Sequence, residues 1–268
     1  MRALHLPGLV AAAAISTSAF AASSFSTGFE ASQNFSVGPL NTQPGGSTGN
    51  DRWLVSGGGT TANVNVTTAN PAGGAQNIQL TGISDLQNQF TGAFSPIISI
   101  TQGTKTVSSF DIAINGVSPG PETGGADYDI VLASRANDGN PNTKLTLVTQ
   151  MQLDFLGGID VDTGGVSLVP SGETWTPGPY MHFDITVDPS NNQITYKKDG
   201  TTFFTSTLNS GFGTTVDQIQ IVSDNFQVQG ERADIDNVTL APVVPEPVFM
   251  SLLLGAGAMV LSGRTRKH

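Results

Sequence analysis

An all-β fold, a two-sheet antiparallel sandwich, is what this sequence predicts, and three features predict it. Short runs alternate apolar and polar residues with a period of two, as half-buried strands do. Clusters of Gly, Asn, Asp, Pro and Ser separate those runs. Between Ala22 and Pro242 no stretch carries a helical repeat, and no internal repeat of fixed length is present. That segment of about 220 residues is long enough for one sizeable core.

Taken in order, Arg2 precedes an apolar stretch centred on Leu9 to Ala14, and Ala19-Phe20-Ala21 supplies the small-x-small pattern cut by signal peptidase. Residues 1–21 are therefore expected to form a signal helix, with the mature chain starting near Ala22. The Gly-rich stretches Asn41 to Asn50 and Ser56 to Thr61 read as connectors, with Trp53 buried at the start of a strand between them. Phe110, Ile112 and Ile114 alternate with Asp111 and Ala113, and Tyr128, Ile130 and Leu132 alternate with Asp129 and Val131. Leu145 to Asp154 and Val216 to Ser223 read the same way. Asp188-Pro189-Ser190-Asn191-Asn192 should turn a strand over 181–187 into one over 193–197, and Asp199-Gly200 should turn that into a third over 202–207.

The chain closes on Pro245-Glu246-Pro247, an uncharged run of sixteen residues from Val248 to Gly263, and Arg264, Arg266 and Lys267. As a helix that run would be roughly 24 Å long at about 1.5 Å per residue, short for a bilayer core but able to cross a thinned one with the basic residues at cytoplasmic headgroups. This order of Pro-Glu-Pro, apolar segment and basic end resembles the PEP-CTERM sorting signal of exported bacterial proteins. The resemblance implies an exosortase-type enzyme as a partner acting near Pro245-Glu246-Pro247, a transient stay in the inner membrane, and a final place at the cell surface or outside the cell. The expected division is residues 1–21 as signal peptide, 22–242 as sandwich and 243–268 as sorting signal.

The middle segment also carries a resemblance. Phe183 to Thr207, with Phe-Asp-Ile-Thr-Val-Asp-Pro-Ser-Asn-Asn-Gln-Ile-Thr-Tyr followed by Lys-Lys-Asp-Gly-Thr, is similar to the central meander of concanavalin A-like, laminin-G-like jelly rolls. Phe25 to Asn41, with Gly28-Phe29-Glu30, resembles their opening strand, and Ala233 to Leu240, with Ile235-Asp236-Asn237-Val238, their closing one. Fold alone does not give function.

Charge and composition exclude several chemistries. Setting aside Glu246 and the four terminal basic residues leaves twenty Asp and Glu against seven Lys and Arg, so the middle segment has no basic surface for nucleic acid. Cysteine is absent, which removes disulfides and thiol chemistry. His182 is the only histidine between Ala22 and Pro242, too little for a zinc site, and reads as a solvent-facing or hydrogen-bonded strand residue. Gly45-Gly46-Ser47-Thr48-Gly49 matches the nucleophile-elbow pattern but has no helix after it. Glycoside hydrolysis needs two carboxylates across a cleft, and the Glu-x-Asp-x-x-Glu strand motif of jelly-roll glucanases is missing. The four glutamates Glu30, Glu122, Glu173 and Glu231 stand far apart in sequence. Asp160 and Asp162 could share a face but sit in Gly-rich surroundings that read as loop. A secreted hydrolase or lyase is accordingly the alternative to a non-enzymatic reading.

No cofactor is required, but a structural calcium fits the resemblance, because hard cations take carboxylate and carbonyl oxygens. Glu30 on the opening strand with Asp236 and Asn237 on the closing strand are the expected ligands, with Asp138, Asn140 and Asn142 as a second, incomplete set. Sugar stacking requires exposed rings. Trp175 and Tyr180, flanking Pro177-Gly178-Pro179, are the expected ones, while Tyr128 is expected to be buried. The function expected from the whole is an exported surface or matrix protein with extracellular polysaccharide as a partner.

Overall fold

A computed structural model describes residues 24–41, 43, 52–57, 63–81, 90–116, 126–134, 146–163, 167–208, 213–224 and 230–243. The signal segment, the sorting tail, Glu122, the 45–49 glycine loop and the Asp138 set lie outside them. Among the described residues no helix is long and apolar enough to cross a membrane.

Sixteen strands are described: β1 (Phe25–Thr27), β2 (Gly38–Pro39), β3 (Leu54–Gly57), β4 (Val64–Thr67), β5 (Asn77–Thr81), β6 (Phe90–Phe94), β7 (Thr106–Asn115), β8 (Asp127–Ser134), β9 (Thr146–Leu153), β10 (Gly158–Asp162), β11 (Leu168–Thr174), β12 (Met181–Asp188), β13 (Gln193–Lys198), β14 (Thr201–Thr207), β15 (Gln218–Asp224) and β16 (Arg232–Pro242). They form two antiparallel sheets. Sheet A runs β14-β13-β12-β7-β16-β5-β4-β2 with β1 also on β16, and sheet B runs β11-β10-β9-β8-β15-β6-β3. The opening and closing strands meet, Phe25 opposite Leu240 and Thr27 opposite Val238.

The meander over β12, β13 and β14 follows from its turn residues. Asp188 accepts a hydrogen bond from the Asn191 amide at 3.2 Å, and Asn192 takes a left-handed φ of 52° to leave the turn. Asp199 and Gly200 both have positive φ, 50° and 80°, the conformation of the tight hairpin turn that Asp-Gly favours. One expectation needs correction: Asp160 and Asp162 lie on β10, not in a loop. The apolar residues Ile159 and Val161, which alternate with them, are buried in the core and pull the segment into sheet B.

Alternation puts the core between the sheets. Phe110 stacks on Phe183 with centroids 5.6 Å apart, and Ile112, Ile185, Ile235 and Val238 from sheet A meet Ile130, Met151, Ile219 and Ile221 from sheet B, all fully buried. Polar ties cross the same gap. The buried Tyr196 hydroxyl of β13 lies 2.6 Å from Thr149 Oγ1 on β9 and donates to the Asp162 carbonyl at 3.2 Å, with burial pushing the phenol up to about 12.

Glu231, just before β16, is 2% exposed. Its carboxylate accepts the Ala126 amide and the Tyr128 hydroxyl, each at 3.1 Å. Burial raises its pKa above the usual carboxylate range, more than those hydrogen bonds lower it. A carboxyl raised in the fold contributes most below its unfolded pKa, and the contribution is lost as pH rises through the folded value. Glu231→Gln keeps an acceptor for both donors without the charge. Relative to the parent, the variant should therefore gain stability as pH rises from 4 to 7, a difference that denaturant titrations at the two pH values measure.

Candidate functional site

Two outward faces carry chemistry. Beside sheet A the structure places Glu30, Asp236 and Asn237 near one another around Gly28. A side-chain carbon on Gly28 would stand 3.4 Å from Asp236 Oδ1, 3.5 Å from Asn237 Oδ1 and 3.8 Å from Glu30 Cγ. The loop after β4 is strapped over them by backbone amides. Ala75 and Gln76 donate to Glu30 Oε1 at 2.8 and 3.2 Å, and Ala72 and Gly73 donate to Asp236 Oδ2 at 3.0 Å each. Gly74 has φ +65°, and any side chain there would collide with the Glu30 carboxylate. Burial raises the pKa of Asp236, against the lowering effect of the Gly73, Asn237 and Ala72 amides.

His182 borders the same region, a cleft of about 660 Å³ lined by Ser26, Gly28, Glu30, Gly73, His182 and Asn237 among others. Its Nδ1 lies 2.6 Å from Asp111 Oδ1, and its Nε2 lies 3.4 Å from Asp184 Oδ1. Ser109 Oγ donates to Asp184, not to the imidazole, so no serine–histidine pair exists there. Burial alone would depress the histidine pKa, but the hydrogen bond and charge of Asp111, with the charge of Asp184, raise it. Asn237 Nδ2 donates to the other oxygen of Asp111 at 2.7 Å. Among the described residues no group of three or more His, Asp or Glu has the spacing of a metal site.

The two expected sugar-stacking rings behave differently. Trp175 is 3% exposed and donates its indole N–H to the Asp154 carbonyl at 2.7 Å. Its ring belongs to the core and offers no face to a ligand, and its backbone amide donates to the Gly157 carbonyl just before β10 at 3.0 Å. Tyr180 is half-buried, and its hydroxyl donates to the Asn70 carbonyl at 2.6 Å, holding the strap loop. Tyr128 and Trp53 are buried, as expected.

The outer face of sheet B is different in character. Strand pairing aligns one row of Leu54, Phe94, Gln220, Val131 and Gln150 and a second of Gly92, Val222, Asp129, Gln152, Asp160 and Pro170. With strands about 4.8 Å apart, the second row spans roughly 24 Å. Leu54 is 51% exposed and Phe90, two residues along β6 from Gly92 in the adjacent row, 43% exposed, while Phe94, Val131 and Val222 are half-buried. Asp129 Oδ1 accepts from Gln150 Nε2 at 2.8 Å and Gln152 Nε2 at 3.0 Å. Asp127 accepts the Phe155 amide at 2.9 Å and Asp154 the Gly158 amide at 2.6 Å. Burial raises the pKa of Asp127 and of Asp129, and neighbouring Asp129, Asp154 and Asp160 push Asp127 further. Apolar surface beside positioned amides and carboxylates is the composition of a site for polyols. Sequence reasoning missed it, although Asp-x-Asp on β8 and Gln-x-Gln on β9 were visible signals, since same-parity residues of neighbouring strands share a face.

No family model and no curated protein matches the sequence. Solved structures do match in fold. The cellulose-induced protein Cip1 aligns with a TM-score of 0.50 at 10% identity over 81% of this chain and 97% of its own. A β-glucanase of Bacillus licheniformis aligns at 0.47 and 14% identity, over 78% and 98%. In a sialidase the match, at 0.48 and 12% identity, covers 71% of this chain but only 17% of that one. At such identity the likeness to Cip1 speaks to fold alone, and the strand order makes this domain an antiparallel two-sheet sandwich of the jelly-roll class.

Proposed function

We propose that this chain is an exported, non-enzymatic β-sandwich of the cell surface or extracellular matrix that binds polysaccharide through the outer face of sheet B. The observation that carries the reading is the pair of rows described above, in which the Asp129, Gln150 and Gln152 cluster lies between half-buried apolar residues on an otherwise regular sheet. Apolar side chains can take the C–H faces of sugar rings, and the amides and carboxylate their hydroxyls. The missing Glu-x-Asp-x-x-Glu motif supports binding without cleavage.

Export through the signal segment, and processing by an exosortase-type enzyme at Pro245-Glu246-Pro247 with Arg264, Arg266 and Lys267 as the membrane stop, belong to the same proposal and rest on the sequence. So does a structural calcium. Its expected ligands are Glu30, Asp236 and Asn237, of which only Asp236 Oδ1 and Asn237 Oδ1 face the gap at Gly28, while Glu30 turns its Cγ to it and its Oε1 to the Ala75 and Gln76 amides; a bound ion would fasten β1 to β16. A glycan array probed with the protein, with and without calcium, tests the reading. Saturable binding that Gln152→Ala or Phe94→Ala reduces about tenfold or more is expected. Folded protein with a blank array overturns it, and release of shorter products would replace it by the hydrolase reading.

A further inference from the structure

The first and last strands leave the sandwich from one end of its long axis. β16 closes at Pro242, opposite Thr106 at the start of β7, and the Val243 amide adds a last rung by donating to the Lys105 carbonyl at 2.8 Å. β1 starts at the same end, with Phe25 opposite Leu240. The turn Pro189–Asn191 lies there as well, because Val187 just before it pairs with Thr106. The segment leading into β7 crosses between the sheets here, its Gly103 amide donating to Thr215 Oγ1 at 3.2 Å.

This exit end differs from the rest of the described surface in charge. Its described carboxylates, Asp188 and Asp217, are 5% and 1% exposed, and Asp188 is held by Lys105 Nζ and Asn191 Nδ2, each at 2.9 Å. What reaches solvent is uncharged, Gln102, Ser190, Asn191, Gln193 and Val243, apart from the partly exposed Lys105. The far end shows Asp127 at the start of β8, Asp154 between β9 and β10, and Asp199 in the β13–β14 turn, while its cations Lys198 and Arg232 already face Glu173 and Asp234. Half-buried carboxylates also stand on both outer faces, Asp129 and Asp160 on sheet B, whose strands contain no Lys or Arg, and Asp111 and Asp184 on sheet A, the latter opposite Lys197. Acidity that served solubility alone would have no reason to spare the end from which the chain continues.

From Val243 the sequence runs through four residues into the uncharged stretch that starts at Val248. Those residues allow at most about 18 Å between Val243 and Val248, half the roughly 36 Å length of β16 at about 3.3 Å per residue. Resting on the reading of 248–263 as a membrane segment, we infer that the exit end is a lipid-facing surface: while the tail is in the bilayer, the domain stands on this end against phospholipid headgroups, with its acidic far end directed away. Amides and hydroxyls meet the phosphates there without repulsion, and Lys105 favours anionic lipid, whereas a domain tipped onto sheet B would press Asp129 and Asp160 against phosphate. A signal segment still attached ahead of β1 would tether the same end. The outer face of sheet B is then open to polysaccharide before the tail is processed.

The chain has no cysteine, so Gln102→Cys at the exit end, or Thr176→Cys at the far end beside the Trp175–Gly157 hydrogen bond, carries a single fluorophore. Each full-length variant is reconstituted in vesicles of phosphatidylethanolamine and phosphatidylglycerol bearing a headgroup-linked contact quencher, with circular dichroism confirming the fold. The Gln102→Cys label should be quenched at least about threefold more than the Thr176→Cys label, because contact quenching does not act across the roughly 36 Å of the long axis. The contrast should grow as phosphatidylglycerol is raised and the acidic faces are repelled more strongly. In vesicle-bound protein, equal quenching at the two sites, as from a domain lying on a sheet, overturns the inference and leaves the membrane reading of the tail standing. So does quenching at neither site, as from a domain hovering on its leash, or a contrast that falls with added phosphatidylglycerol. Failure of the protein to float with the vesicles overturns both.

Discussion

Asp234→Ala should destabilise the protein by about 3 to 5 kcal/mol, the range for breaking a buried charged cluster from one side. Asp234 is fully buried on the outer side of sheet A. Its carboxylate accepts Asn70 Nδ2 at 3.0 Å, Asn77 Nδ2 at 3.3 Å, Gln79 Nε2 at 2.7 Å and Asn115 Nδ2 at 2.9 Å, with Arg232 Nε at 3.6 Å. Truncation leaves the fully buried Asn77 amide and the part-buried Gln79 and Asn115 amides facing a void, while exposed Asn70 and 40%-exposed Arg232 can turn to water, and each unsatisfied buried donor costs about 1 to 3 kcal/mol before relaxation. Relaxation is available to Asn70, which sits on the strap loop, but not to Gln79 and Asn115, which are fixed on β5 and β7. Asp234→Asn separates charge from shape. It keeps one acceptor oxygen but turns a donor toward two of the four amides, so it should lose roughly half as much. Denaturant midpoints of the three proteins measure both effects, and an Asp234→Ala loss below about 1 kcal/mol would contradict the network as described.

The strap explains why loss of Asp234 should also be felt at the candidate calcium residues. One loop is held by three carboxylates from different parts of the chain, Asn70 by Asp234, Ala72 and Gly73 by Asp236, and Ala75 and Gln76 by Glu30. A sequence shows Glu30 and Asp236 as acidic residues at the two ends of a domain, and pairing of the first and last strands brings them together. It does not show that backbone amides are their partners, because amides carry no residue identity.

The sandwich itself was legible, since period-two alternation and turn residues are local signals. Asp188-Pro189 through Asn192 and Asp199-Gly200 turn where their φ preferences say they should. What local signals cannot convey is sheet order. Placing Gln152 beside Asp129 requires knowing that β9 pairs with β8, and Asp160 joins their row only because β10 pairs with β9. Trp175 misled for a related reason. A tryptophan beside Pro-Gly-Pro reads as an exposed loop ring, but its N–H found a carbonyl, Asp154 O, and the ring followed it inward.

Trp53→Ala should cost about 3 to 5 kcal/mol, the range for emptying a large aromatic site, and about 10 °C or more in the unfolding midpoint for a domain of this size. Trp53 is fully buried, with its ring 5.7 Å from Phe25 and 5.3 Å from Phe29, and Phe29 in turn packs edge-on against Phe35. This aromatic cluster anchors the first strand and the turn after it, segments that contribute only the three residues of β1 and two of β2 to sheet A. Loss of the indole therefore removes much of what holds the opening segment, including Glu30, in place. Trp53→Phe distinguishes packing from hydrogen bonding. The indole N–H is buried without a partner among the described residues, so replacing it forfeits volume but no hydrogen bond, and the loss should stay near 1 kcal/mol. A Trp53→Phe loss as large as that of Trp53→Ala would mean that the N–H has a partner after all. Tryptophan fluorescence adds a second readout, because Trp53 and Trp175 are the only two tryptophans in the chain. If the cluster melts before the sandwich, emission of the Trp175→Phe variant, which reports Trp53 alone, should shift to the red at a lower denaturant concentration than the far-ultraviolet β signal.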